Sequence, residues 1–146
     1  MRQVAVSNNG PSHIFINLAT ASNAKPNRPD NEDAFAVADT VLAVADGVTS
    51  KGPQALIDGR SAGGVVARLA VATAVATPSF GRDLIESVNR EVSAFLRDRG
   101  IEPGPGGPAC TLACVHIVGD ELIVTRVGDT GVRLNGDPAP EREEMA

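Results

Sequence analysis

Apolar positions recur at helical spacing in only two parts of this 146-residue chain; elsewhere they gather into short runs cut by Gly, Pro, Asn and Asp. Over residues 82–99, Leu84, Ile85, Val88, Val92, Phe95 and Leu96 fall on one face of a 3.6-residue period, which predicts an amphipathic helix. Asp83 in its first turn and Arg97 and Arg99 in its last match the helix dipole, and Gly100 is a natural C′ residue. Residues 61–76 are Ala- and Val-rich with the single charge Arg68, the pattern of a helix buried on most of its surface. Asp58 or Ser61 could cap it, and Gly63-Gly64 would let it approach a sheet closely.

The short runs predict strands. Residues 13–21 are β-branched and apolar, and a polar loop over 22–31 follows, with two prolines and Arg28. Residues 34–38 and 41–45 form an apolar hairpin turning at Asp39-Thr40, and their Ala, Val, Leu and Phe content predicts burial on both faces. Residues 48–59 read as a Gly/Pro-punctuated loop. The stretch 102–108 is glycine-rich, but no Lys-Ser/Thr follows it, so it reads as a connector and not a phosphate cradle. Residues 109–118 and 121–127 are two strands joined by Gly119-Asp120. Gly128-Asp129-Thr130-Gly131 interrupts the run, and 132–134 resumes it. Asn135-Gly136 is a hairpin signal, yet residues 137–146, with two prolines and three glutamates, offer no evident returning strand. The expectation is an open sheet edge at 132–134, able to pair with another strand, and a disordered polar tail from 137.

Composition narrows the class. The length suits one domain with a real core, and with four Phe, no Trp and no Tyr that core must be aliphatic. A net charge of −5 and a pI near 4.9 argue against a nucleic-acid partner and are compatible with cation binding. The most apolar stretch, 63–77, contains Arg68 and is too short to span a bilayer, so no membrane partner is expected. Residues 1–10 hold no apolar h-region, which implies no secretory signal and a cytoplasmic protein. Cys110 and Cys114 lie four apart in a strand, about 13 Å at roughly 3.3 Å per residue, beyond disulfide reach; they read as buried thiols.

Candidate chemistry sits at the strand ends. Because 34–38 and 41–45 are antiparallel, Asp33 and Asp46 emerge at the same end of the sheet beside an apolar core. Two such acids are tolerated if one is protonated or a cation lies between them, and a hard divalent ion with oxygen ligands is the economical reading. Gly47 would let its carbonyl approach an ion, and Asp129 brings a third carboxylate to a strand end. Arg28, four residues before Glu32, could clamp a phosphate bidentately. His13 and His116 are isolated in strands and are left out of the site.

Taken together, Arg28-Pro-Asp-Asn31-Glu32-Asp33-Ala34, then Val44-Ala45-Asp46-Gly47, then Gly128-Asp129-Thr130, resemble the metal-dependent protein phosphatases of the 2C (PPM) type, over residues 13 to 136. The resemblance implies an α+β fold, the N-terminal part of an α-β-β-α sandwich with antiparallel sheets and flanking helices, filling residues 1–136. It implies a Mg²⁺- or Mn²⁺-dependent serine/threonine protein phosphatase acting on a phosphorylated protein through a metal-activated water. Asp46 would bridge two ions and Gly47 would offer its backbone oxygen. Glu32 and Asp33 would hold metal-bound waters, with Asp33 a candidate direct ligand. Asp129 would help hold a weaker third ion, and Arg28 would grip the substrate phosphate. The chain departs from the pattern at Val48-Thr49-Ser50, where the family has more glycine, and at Gly131, where it has arginine. After Asp129 only Asp137 remains to complete the second metal position. That shortage supports an alternative: a truncated, catalytically inactive phosphatase-like domain acting as a regulatory or binding module.

Overall fold

The computed structural model describes residues 2–7, 13–18, 20–23, 30–48 and 54–139, the strands 2–7 and 13–18 by their backbone. In chain order the elements are β1 (Arg2–Ser7), β2 (His13–Leu18), β3 (Asp33–Ala38), β4 (Val41–Val48), β5 (Leu56–Ile57) and β6 (Arg60–Ser61). There follow α1 (Ala62–Ala76), α2 (Gly81–Arg97), β7 (Ala109–Cys110), β8 (Leu112–Val118), β9 (Glu121–Val127), β10 (Arg133–Leu134) and β11 (Asp137–Pro138). The fold is α+β. Its centre is an antiparallel sheet in the order β3-β4-β8-β9, with β7 continuing alongside β4. β1 and β2 form a separate antiparallel pair, as do β5 and β6.

Both helices cover one face of the central sheet. Along β4, Val41, Ala43, Ala45 and Gly47 are buried beneath α1, while Val44, Asp46 and Val48 are exposed and Leu42 is partly so. α1 is buried through Ala62, Gly63, Gly64, Val66, Ala67, Ala70, Val71 and Ala74, so its small side chains bring the helix axis close to the sheet. The approach is tightest where Gly47 meets Gly63: a Cβ on Gly47 would stand 2.4 Å from the Gly63 carbonyl carbon. α2 buries Leu84, Val88 and Leu96 on the predicted face, with Ile85, Val92 and Phe95 packed around them.

Three sequence expectations change here. The hairpin 33–48 is buried on one face and not two: Phe35 is 46% and Val44 42% exposed, because α1 covers only the opposite side. Alternation along β4 was hidden in the sequence, since both faces carry apolar side chains. The strand over 109–118 is interrupted at Thr111, whose hydroxyl takes over a ladder hydrogen bond. A strand does return after Asn135-Gly136. Both residues take left-handed backbone angles (φ 53° and 94°), the type I′ geometry, and β11 pairs with β10 through Leu134↔Asp137 and Arg133↔Pro138. Asp137 and Pro138, read from the sequence as tail, occupy the edge expected to be open.

Candidate functional site

The site is built from one row of the sheet. Asp33 lies directly opposite Asp46 in the β3–β4 register, so their side chains leave the same face, and both residues are exposed. The pairs Val44↔Ala113 and Gly47↔Cys110 flank equal numbers of residues, which puts Thr111 opposite Asp46; Leu112↔Val127 in turn puts Gly128 beside Thr111. Asp33, Asp46, Thr111 and Gly128 therefore cross four strands at one end of the sheet, and Asp129 follows at once.

Local chemistry explains how the acidic segment is held. The Asn31 side-chain oxygen accepts a hydrogen bond from the Asp33 N–H at 3.1 Å, an Asx-turn that opens β3. The Gly47 N–H donates to the Glu32 carbonyl at 3.0 Å, and the Ser61 N–H donates to the Asp30 carboxylate at 2.9 Å. The Ser61 hydroxyl bonds the Glu32 carboxylate, and the Arg68 guanidinium donates to the Asn31 carbonyl at 3.4 Å. Gly64 lies under this segment, where an added Cβ would come within 3.2 Å of the Asn31 carbonyl oxygen. The start of α1 is thus the floor on which residues 30–33 rest. Ser61 stands at the N-cap position, as expected, but its hydroxyl serves Glu32 and makes no cap hydrogen bond.

The third motif is fastened through Thr111. Its N–H donates to the Asp46 carbonyl at 2.9 Å, its hydroxyl oxygen accepts from the Asp46 N–H at 3.3 Å, and the same hydroxyl bonds that of Thr130. Gly128 has φ 84°, and a Cβ there would stand 2.6 Å from the Thr111 methyl, so glycine is required on both counts. Neighbouring Cys110 has its thiol pushed up to about 11 by burial and, secondarily, by the negative charge of Asp46; it is a neutral thiol. Cys114 is likewise raised to about 11 by burial, and both cysteines are free.

Of the residues singled out in the sequence, Asp33 and Asp46 are face to face, and Glu32 and Gly47 flank them. Asp129 is carried to the same sheet end on the loop bonded to Thr111. Arg28 lies outside the described residues. Among the described residues no group of three or more His, Cys, Asp or Glu stands close enough to hold a metal ion. Asp33 and Asp46 offer paired oxygen donors of the kind hard divalent cations take, and by themselves they are not a complete cage. The contacts by which Asp30, Ser61, Arg68, Thr111 and Thr130 hold the site are not readable from the sequence because each acts across a long sequence separation, 65 residues for Thr111 and Asp46. No helix among the described residues is long and apolar enough to cross a membrane.

No protein-family model matches the chain, and no curated protein matches it significantly. Solved structures do. The catalytic domain of serine/threonine protein phosphatase PstP, in complex with 2 manganese ions, superposes with a TM-score of 0.55 at 24% identity, over 81% of this chain and 51% of that one. The chain has the PPM-type phosphatase fold, in part. The Mycobacterium tuberculosis phosphatase PstP/Ppp matches this chain with a TM-score of 0.50 at 28% identity, over 75% of it and 45% of the other. The PPM Ser-Thr phosphatase MsPP from Mycobacterium smegmatis, in complex with cacodylate, matches with a TM-score of 0.50 at 28% identity, over 77% and 46%. The chain spans about half the length of these PPM-type structures.

Proposed function

We propose that this chain contributes to the active site of a Mg²⁺- or Mn²⁺-dependent phosphatase acting on phosphoserine and phosphothreonine in proteins. The observation that carries the reading is the direct opposition of Asp33 and Asp46 at the end of a sheet shared with PPM-type phosphatases. In this reading Asp46 and Asp33 hold the ion. Glu32, Gly47 through its backbone oxygen, and Asp129 contribute around it. The bound ion would lower the pKa of a coordinated water and neutralise charge on the phosphoryl oxygens. The chain's own residues do the positioning. The ladder fixes the two carboxylates on one face, α1 holds Glu32 through Ser61, and Thr111 ties Asp46 to the loop carrying Asp129. Arg28 would grip the substrate phosphate in a two-pronged contact.

The test is hydrolysis of an aryl phosphate with and without Mn²⁺. Stimulation by Mn²⁺ is expected in the wild type, with a fall of at least about 100-fold in Asp46→Asn, since mutating even the outer-shell partners of a metal ligand costs about 10- to 100-fold. Equal rates in the two proteins would overturn the proposal.

A further inference from the structure

Thr111 touches the two acidic motifs from both sides. Its backbone N–H closes on the Asp46 carbonyl at 2.9 Å while its hydroxyl accepts from the Asp46 N–H at 3.3 Å. A threonine hydroxyl can accept two hydrogen bonds and donate one, so the same oxygen can serve Asp46 and Thr130 together. Its methyl lies against Gly128, where no side chain would fit. Both functional parts of the side chain are engaged: the oxygen holds the β4 strand end and the Thr130 hydroxyl, and the methyl packs on the backbone where the loop begins.

We infer that Thr111 is a positioning residue, a clamp that locks the Gly128–Gly131 loop onto the Asp46 end of β4 and so fixes where Asp129 stands relative to Asp46. The inference deepens the phosphatase reading, but the clamp itself is a statement about geometry and stands apart from catalysis. The interruption between β7 and β8 follows from it. At residue 111 the ladder bond that a carbonyl would have accepted goes to a side-chain oxygen, which sets that oxygen in reach of the loop. Serine would preserve the clamp's oxygen, and valine would keep the methyl while deleting the oxygen. Thr130→Val would remove only the loop half of the bridge.

Four proteins decide the matter: wild type, Thr111→Ser, Thr111→Val and Thr130→Val. Amide hydrogen exchange at Asp46 and ¹⁵N order parameters at Asp129–Gly131 read the two halves of the clamp, with the amides of Val115 and Val124 as sheet controls. Thr111→Val is expected to speed Asp46 exchange about tenfold and to lower the loop order parameters from about 0.85 to below about 0.6, with the controls unmoved. Thr130→Val should loosen the loop alone, and Thr111→Ser, which keeps the oxygen and loses only the methyl contact with Gly128, should keep Asp46 exchange at the wild-type rate. Calorimetry with Mn²⁺ adds a second readout, with affinity falling about tenfold in both valine variants and retained in the serine variant. Unchanged exchange and order in Thr111→Val would overturn the clamp. So would uniform loosening of the sheet in both valine variants. A wild type that binds no Mn²⁺ would sink the metal reading, while the exchange and order measurements would still decide the clamp.

Discussion

At the scale of single residues, the glycine contact between β4 and α1 is backbone to backbone. Gly47 and Gly63 meet where α1 begins, and a methyl group at Gly47 would overlap the Gly63 carbonyl group and the Gly64 nitrogen, none of which can swing aside as a side chain would. Gly47→Ala is expected to cost about 2 kcal/mol or more in urea unfolding, the upper part of the range for overpacking. Gly104→Ala, with nothing within 4 Å of its added Cβ, should stay within about 0.5 kcal/mol of wild type. Because Gly47 adjoins Asp46, this glycine has a packing role whether or not its carbonyl meets an ion. Asp33 and Asp46 were legible in the sequence because the residues between them alternate through a two-residue turn, so their opposition follows from counting. Thr111 was not legible. Its partners lie 65 and 19 residues away, and a threonine at a strand start has no distinctive local pattern.

At the scale of elements, α2 follows the period of its apolar residues, and α1 is covered as its composition predicts. The junction of β8 with the segment joining the two helices adds a pH-dependent contact. His116 is buried beside Cys114, with its ring edge-on to Phe80 at a centroid distance of 6.1 Å. Burial lowers its pKa from 6.5, and the backbone at Thr77 opposes that shift only in part. The folded state therefore takes up a proton less readily than the unfolded chain. The stabilisation from neutral His116 is complete above about pH 6.5 and is lost as pH falls below that value toward the lowered pKa. Urea titrations of wild type and His116→Gln at pH 7.5 and pH 5 are expected to show the wild-type advantage shrinking at the lower pH. A constant gap would show that His116 does not titrate differently in the two states.

At the scale of the whole molecule, one face of the central sheet is covered by helices, and among the described residues no element packs on the other. Phe35, Val44, Val48 and Leu122 stand on the uncovered face with exposures from 42% to 50%, and no described element packs over them. An apolar sheet face of this extent is unusual in a lone soluble domain. The chain is expected to enhance the fluorescence of the dye ANS, and a Phe35→Lys/Leu122→Lys variant should reduce the signal by at least about half with its helical circular dichroism unchanged. An equal signal from both proteins would place the dye elsewhere. The sequence alone settled the helices, the turn at Asp39-Thr40, the pairing of the strand over 121–127 with the one over 109–118 apart from its break at Thr111, and the sheet end that receives Asp33 and Asp46. All of these depend on period and turn chemistry acting within about twenty residues. Only the tertiary structure decided which face of Val41–Val48 is buried, that Asp137–Pro138 folds back on Arg133–Leu134, and that Ser61, Arg68 and Thr111 fasten the acidic segments. Apolar residues on both sides of a strand leave its buried face undetermined until a helix is laid on one of them. A hydrogen bond across 65 residues exists only once the sheet has brought its ends together.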